Sequence, residues 1–158
     1  MSRLRHTLRA KAVLCPRLTV TFFDEPSGET QSWYFEDGLK DYLVENLQDF
    51  NRLPEEPFVG HVEGKGESVS WAVIWLPDGG DGIAESYANL IPTPQGGTHV
   101  AGFRSGLLAS LRDFGDFRGF IPKGVKLTPE DIWERCSYVL SAKLSDLQFS
   151  GQTKERLS

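Results

Sequence analysis

The sequence contains few cysteines and histidines, and this scarcity excludes several classes of protein. Two cysteines, Cys15 and Cys136, allow at most one disulfide, which argues against a disulfide-stabilised secreted scaffold. Three histidines, none four residues from another, do not make a metal-binding motif with these cysteines. The sequence therefore predicts no metal site in this chain and two reduced thiols in a cytoplasmic protein.

Long apolar runs and a net positive charge are also missing. No apolar run approaches the roughly 18 residues of a membrane span, so no membrane partner is expected. The basic N-terminus is not interpreted as a signal peptide, because Arg9 and Lys11 interrupt its apolar stretch. With 17 basic and 22 acidic residues the formal net charge is −5, so any contact with nucleic acid must be local.

What the chain does contain is enough apolar material for one folded unit. Its 158 residues correspond to a single domain, and 39% of them are hydrophobic, which excludes a disordered chain. It opens inside an amphipathic helix and ends on a polar tail without a stop signal. Both ends suggest a segment of a larger protein.

Hydrophobic spacing predicts strands that outnumber helices. Leu39 to Phe50 and Val100 to Phe117 show helical spacing, with Thr98 as a candidate N-cap of the second helix. The sequence Thr128-Pro129-Glu130-Asp131 predicts another capped helix start. Two prolines predict a loop over 51–57. Alternating or continuous apolar residues predict strands over 18–23, 31–36, 58–62, 69–76, 83–90 and 138–144. Hairpins combined with one helical crossover predict an α+β fold in which helices cover a mixed sheet.

Three patterns with chemical potential have simpler structural explanations. Gly60 to Gly66 (GHVEGKG) is one residue too short for a phosphate-binding P-loop and lacks its hydroxyl residue, so we predict a hairpin turn. A nucleophilic Cys15 or Cys136 would need a distant histidine, and a small buried hydrophobe is the favoured interpretation. The acidic residues at 130, 131 and 134 begin a helix, where the helix dipole explains them.

A locally basic stretch leaves two interpretations open. Arg104, Arg112 and Arg118 are followed by Lys123 and Lys126. Such a stretch is usually a solvated helix face, and the alternative is a surface that contacts phosphates.

Two glycine-started segments could bind an anion. Gly96-Gly97-Thr98-His99 precedes the long helix, whose first amides could face a phosphate. Gly151-Gln152-Thr153-Lys154 supplies an amide, a hydroxyl and an ammonium, which suit a phosphate. Neither segment identifies a function by itself.

Taken together, these segments resemble a known family. The stretches LIPTPQGGTHVAGFRSGLL, LTPEDIWERCSYVLSAKL and QFSGQTKERLS follow the order and spacing of the transducer domain of bacterial type II topoisomerase B subunits. The resemblance covers essentially the whole chain, including RAKAVLCP and DGLKDYL. The motifs GGTH and QTK are shared by the gyrase and topoisomerase IV branches. DIWERC and SYVLSAKL resemble the topoisomerase IV branch, and the gyrase B transducer remains the alternative.

The resemblance implies a particular fold and boundaries. It implies a single transducer domain over 1–158, with a body at 1–146 and the QTK loop with a truncated tail at 147–158. It also implies a left-handed βαβ crossover, a fold found in a small-subunit ribosomal protein. Without the resemblance that crossover would be drawn right-handed, as in about 98% of cases.

The resemblance also implies a site and partners. Lys154 would be the catalytic contact to the γ-phosphate of ATP, and Gln152 would be a second ATP contact. A GHKL domain of the same subunit would bind ATP and magnesium, so no cofactor is expected in the isolated chain. Its motifs are missing here, as are the cleavage domain and the catalytic tyrosine, so the fragment should be inactive alone. Further partners would be the A subunit, DNA and a second B subunit, in an enzyme that serves chromosome segregation.

Three hypotheses follow for this chain. It is a topoisomerase transducer that couples ATP hydrolysis to DNA strand passage, decatenation and relaxation, or an ATP-independent scaffold of the same fold, or a self-contained cysteine enzyme. In the first hypothesis, Arg104, Arg112 and Arg118 could line the cavity that a transported duplex enters.

Overall fold

The chain folds into four helices and seven strands over the residues that the structure, a computed structural model, describes: 2–150 and 154–158. The helices are α1 (Ser2–Leu14), α2 (Leu39–Asn46), α3 (Thr98–Arg118) and α4 (Pro129–Trp133). The strands are β1 (Val20–Asp24), β2 (Glu29–Trp33), β3 (Leu53–Glu63), β4 (Glu67–Trp75), β5 (Ala84–Ala88), β6 (Ile91–Pro92) and β7 (Cys136–Leu144).

Five of the strands form one mixed sheet, in the order β3-β4-β7-β5-β6. β5 and β7 run parallel, and every other neighbouring pair is antiparallel. The chain between β5 and β7 contains α3 and α4, which is the predicted helical crossover. The predicted α+β class with a mixed sheet and helices is confirmed, whereas the left-handed sense of the crossover stays a prediction.

The first two strands form a separate sheet. β1 and β2 pair only with each other among the described residues. A two-stranded hairpin is marginally stable by itself, and the preceding helix α1 packs beside it. Ala12, Val13 and Leu14 of α1 belong to the same buried cluster as Leu43 of α2. The proposed single domain over 1–158, with its body at 1–146 and tail at 147–158, stays a prediction.

The two faces of the five-stranded sheet bury different residues, because successive side chains of a strand alternate between faces. Ala72 and Ile74 of β4 join the cluster with α1 and α2. Trp71, on the opposite face, packs against Phe103 of α3, with ring centroids 6.0 Å apart. Gly60 of β3 is required there, because a Cβ atom would lie 2.1 Å from the Trp71 ring.

The sequence-based elements are largely confirmed, with differences at their ends. β3 begins at Leu53, inside the predicted loop 51–57, and includes Pro54 and Pro57. It tolerates them because it is an edge strand whose pairing register shifts between Leu53 and Phe58. Helix α2 ends at Asn46, before the predicted Phe50. The hairpin turn at 64–66 is confirmed.

Two predicted helix starts have different outcomes. At α4, Thr128 is the N-cap, as predicted, and the structure adds a reciprocal capping box between Thr128 and Asp131. At α3 the N-cap is Gly97, and Thr98 is the first helical residue. The predicted Thr98 cap is wrong, because the Thr98 hydroxyl donates to the carbonyl of Ser158 (2.9 Å). Among the described residues, no helix is long and apolar enough to cross a membrane.

Candidate functional site

The C-terminal segment folds back onto the turn that precedes α3. The amide of Leu157 donates to the Gly96 carbonyl (3.1 Å), and the Thr98 amide donates to the Leu157 carbonyl (3.3 Å). The Leu157 side chain is buried, with 3% of its surface exposed. The residues that directly follow the second glycine-started segment therefore meet the first one, although about 60 residues separate them along the chain.

A glycine makes this meeting possible. Gly97 has φ 138°, and a Cβ atom there would lie 2.2 Å from the Leu157 carbonyl oxygen. Gly96, with φ 66°, also has a left-handed backbone. A side chain at position 97 would be strained and would collide with the C-terminal segment. Gly96 and Gly97 are therefore needed for the contact between the GGTH turn and the C-terminal segment.

Lys154 lies on the segment that is held in this way. Its side chain is exposed, and its backbone is left-handed, with φ 58°. The next residue, Glu155, accepts the Gln95 amide at its carbonyl (3.0 Å) and the Gln95 side-chain amide at its carboxylate (2.7 Å). The other predicted ATP contact, Gln152, lies outside the described residues.

A buried network of hydroxyl groups supports the GGTH turn. Thr93 is 1% exposed, and its hydroxyl lies 2.8 Å from the Ser86 hydroxyl and 3.0 Å from Nε2 of His99. The Gly96 amide donates to the Thr93 carbonyl (2.8 Å). Burial lowers the pKa of His99, which keeps the ring neutral near pH 7. One polar network thus joins the GGTH turn, α3 and β5.

The sequence patterns did not indicate the supporting residues of this site. His99 entered only as the last residue of the GGTH segment and as a histidine outside any metal-binding motif. No pattern assigned a role to Ser86, Thr93, Gln95 or Glu155. Their bonds join residues that are far apart along the chain, which periodicity does not reveal. The one local signal was the proline on each side of Thr93, because such a pair fixes the backbone of a turn.

The three arginines proposed to contact nucleic acid are separated along α3. Arg104 stacks on Trp133, with its guanidinium carbon 4.8 Å from the ring centroid, and Arg118 stacks on Phe114 at 5.6 Å. Arg112 donates two hydrogen bonds to the Leu127 carbonyl. Arg104 and Arg118 are about 20 Å apart along the helix axis. Arg112 thus holds the loop after α3, and contact of any of the three with DNA stays a prediction.

The cysteines do not offer an activated nucleophile. Both are free thiols, as expected. Burial raises the pKa of the Cys136 thiol to about 12, so it is protonated at neutral pH. This supports the interpretation of Cys136 as a small buried hydrophobe.

Another cluster has the residue types of a serine hydrolase but lacks the buried environment of a catalytic triad. His61 lies 2.8 Å from the Ser70 hydroxyl and 3.1 Å from the Glu63 carboxylate. The side chains of His61 and Glu63 are 52% and 77% exposed, whereas a catalytic triad has a buried acid beside a cleft with oxyanion donors. Within residues 2–150 and 154–158, no three acidic, histidine or cysteine side chains group to hold a metal ion.

An apolar groove of about 580 Å³ lies between α3 and the sheet, next to the C-terminal segment. Trp71, Phe103, Leu107, Leu144 and Leu157 contribute to its wall. A nucleotide site needs polar groups that converge on phosphates and base, and this wall is mainly apolar. Among the described residues this groove therefore does not suit a whole nucleotide, and the contact of Lys154 with a phosphate stays a prediction.

A family comparison identifies the relationship that the motifs suggested. The family model described as DNA gyrase B matches residues 38–158. The chain belongs to the DNA gyrase B family. This match starts just after the β1–β2 hairpin and includes the whole five-stranded sheet and the candidate site.

Curated relatives of this DNA gyrase B family chain are B subunits of DNA topoisomerase 4. It is 60% identical over 158 residues to the B subunit of that enzyme from Pseudomonas aeruginosa and 57% identical to the one from Escherichia coli K12. All of this chain is covered in both cases, but only 25% of each relative. The chain therefore spans about a quarter of the length of these proteins.

Solved structures of the same family share the fold. The topoisomerase IV ATP binding domain of Francisella tularensis is 37% identical with a TM-score of 0.83. The 43K ATPase domain of Thermus thermophilus gyrase B is 27% identical with a TM-score of 0.86. Each match covers 99% of this chain and 42% of the other. The predicted membership of the topoisomerase B-subunit family is confirmed.

Proposed function

We propose that this chain is the transducer region of a topoisomerase IV B subunit, in which it couples ATP binding and hydrolysis to DNA strand passage, decatenation and relaxation. Relatives named as B subunits of DNA topoisomerase 4, 57–60% identical over the full chain, support the branch. The observation that carries the proposal is the attachment of residues 154–158 to the GGTH turn at the start of α3. An adjacent GHKL domain would bind the nucleotide and magnesium.

In this proposal Lys154 is the catalytic contact to the γ-phosphate. Its ammonium is a compact point charge on an exposed side chain, and the residues after it are fixed to the turn. Negative charge gathers on the γ-phosphate oxygens as the terminal bond breaks, and a fixed cation beside them stabilises that charge. The Gln152 amide would donate a second hydrogen bond to the same phosphate.

The same attachment would transmit a force from the phosphate to the sheet through hydrogen bonds. The GGTH turn is bonded to Thr93, and Thr93 to Ser86 of β5. β5 pairs with β7 at the centre of the sheet. A force on Lys154 would thus reach α3 and the sheet together, as a rigid-body rotation requires. The crossover through α3 would have the left-handed sense of transducer domains, in one domain over 1–158.

The remaining partners follow from the parent enzyme. In the cytoplasm the B subunit would assemble with the A subunit, a second B subunit and DNA. Arg104 and Arg118 are exposed and supported by aromatic rings, and they would face a transported duplex. Arg112 contributes less, because its guanidinium already binds the Leu127 carbonyl.

Replacing Lys154 in the complete B subunit tests the proposal. Lys154→Ala should lower the rate of ATP hydrolysis by about 10² to 10³, the typical effect of removing a preorganised transition-state contact. ATP binding should change much less, because the GHKL domain makes most of the ground-state contacts. Lys154→Arg should restore activity incompletely, because a planar fork does not replace a compact ammonium. The measurements are steady-state hydrolysis and nucleotide binding.

Lys65→Ala, on the exposed turn between β3 and β4, is the matched control and should hydrolyse ATP at the parent rate. Hydrolysis by Lys154→Ala within threefold of the parent, about 0.7 kcal/mol, would contradict the role of Lys154 and favour an ATP-independent scaffold. Supercoiling in place of decatenation by the assembled enzyme would favour the gyrase branch.

A further inference from the structure

Gln95 makes a two-point contact with the neighbour of Lys154. Its backbone amide donates to the Glu155 carbonyl (3.0 Å), and its side-chain amide donates to the Glu155 carboxylate (2.7 Å). Gln95 lies directly before the two glycines of the GGTH turn. The contact therefore joins the residue before the GGTH turn to the first residue after Lys154.

The backbone of Lys154 needs such support. Its φ of 58° lies in the left-handed region, which residues with a side chain rarely adopt. A conformation of this kind persists only where the surrounding structure fixes it. On the C-terminal side of Lys154 the fixing bonds come from Gln95 to Glu155 and from Leu157 to Gly96.

The contact also affects how the charged Glu155 carboxylate can interact with Lys154. Glu155 is adjacent to Lys154, and a carboxylate released from Gln95 would be free to pair with the lysine ammonium. Such a pair would reduce the positive charge that Lys154 offers to a phosphate. The Gln95 amide occupies one carboxylate oxygen of Glu155 without adding charge.

We propose that Gln95 is a positioning residue for Lys154: it holds Glu155 so that the lysine backbone is fixed and its ammonium stays available to the γ-phosphate. This inference rests on the proposed function of Lys154. Because Gln95 would act through Glu155, its effect should fall on turnover, and the KM for ATP should change little.

The test is a charge swap in the complete B subunit. Gln95→Glu places two carboxylates against each other and should lower kcat for ATP hydrolysis by threefold to tenfold, with KM within twofold of the parent. Adding Glu155→Gln to this variant recreates an amide–carboxylate pair in the reverse order, and kcat should return to within twofold of the parent. The thermal midpoint should move by less than about 2 °C, because exposed polar pairs contribute little stability.

Two further variants complete the design. Gln48→Glu adds the same charge at an exposed position after α2 and should leave kcat unchanged. Gln95→Leu removes the side-chain amide without adding charge and should reproduce the fall in kcat. It replaces Gln95→Glu as the test if that variant does not fold.

The outcomes separate this inference from the proposed function. If Lys154→Ala abolishes turnover while the tested Gln95 variant keeps kcat within twofold of the parent, the positioning role is wrong and the lysine contact stands. Failure of the swap to restore kcat would also overturn it, because the loss would then not depend on the pair. Unchanged turnover in Lys154→Ala would overturn both proposals.

Discussion

The helices on the two faces of the five-stranded sheet are buried to different extents. Sheet residues are completely buried on both faces, with Ile74 facing α1 and α2 and Leu140 facing α3. Helix α2 adds Leu43, which is completely buried, whereas α3 contributes one buried residue, Gly115, from its 21 described residues. An apolar groove remains open between this helix and the sheet.

The difference places the candidate site on the loosely packed face. α3 is attached at its N-terminus by the C-terminal segment and farther along by Phe103, whose ring contacts Trp71, Trp133 and Tyr138. Segments that move during function generally come from the less stable parts of a protein. In the proposed function, this largely exposed helix would shift relative to the closely packed core when its N-terminal turn is pulled.

The largest expected effect compares one leucine from each face. Leu43→Ala should lower the free energy of unfolding by about 2–5 kcal/mol, because it removes buried methyl groups and leaves a cavity. Leu107→Ala should cost less than about 1.5 kcal/mol, because Leu107 lines the open groove and is only partly buried. Urea unfolding of the 158-residue chain measures both. Equal losses would show that the two faces are equally packed.

A second comparison uses two glycines at α3. Gly97→Ala should destabilise the attachment of the C-terminal segment by about 1–3 kcal/mol, because of its backbone conformation and the collision with Leu157. Gly106→Ala is the matched control within the helix: its Cβ would meet nothing within 4 Å, and alanine should stabilise the helix by up to about 1 kcal/mol. Hydrogen exchange of the Leu157 amide reports the attachment. Unchanged protection in Gly97→Ala would contradict the close approach.

Local patterns predicted most of the fold, because its elements carry local signals. The apolar stripe of α3 and the capping box of α4 gave helices close to those observed. The start of β3 was missed because a proline excludes a central strand and not an edge strand, and edge position is a property of the whole sheet. The predicted Thr98 cap was wrong because the Thr98 hydroxyl binds Ser158, at the far end of the chain.

The site was predictable only in part. The motifs named Lys154 and the GGTH turn, because family resemblance attaches to short segments. The contact between the GGTH turn and the residues after Lys154 depends on a pairing across about 60 residues of chain. No periodicity encodes which of several polar residues meets Glu155, so Gln95 and the network around Thr93 required the structure.

The smallest expected effect is a pH dependence that comes from the loosely packed face. Burial lowers the pKa of His99 below its ordinary value of about 6.5. As pH falls through this value, the unfolded chain binds a proton that the folded chain does not, so the free energy of unfolding should decrease until the folded pKa is passed. Nδ1 of His99 is buried and has no hydrogen-bond partner among the residues that the structure describes, so the protonated ring would gain no hydrogen bond from them. His99→Gln, which keeps a polar group near Thr93, should remove this slope between pH 8 and 5, whereas His6→Gln, at an exposed position of α1, should keep it. Denaturant unfolding at each pH measures the slope. If His99→Gln and the parent keep the same slope, the ring is solvated and this end of α3 is more open than the buried network implies.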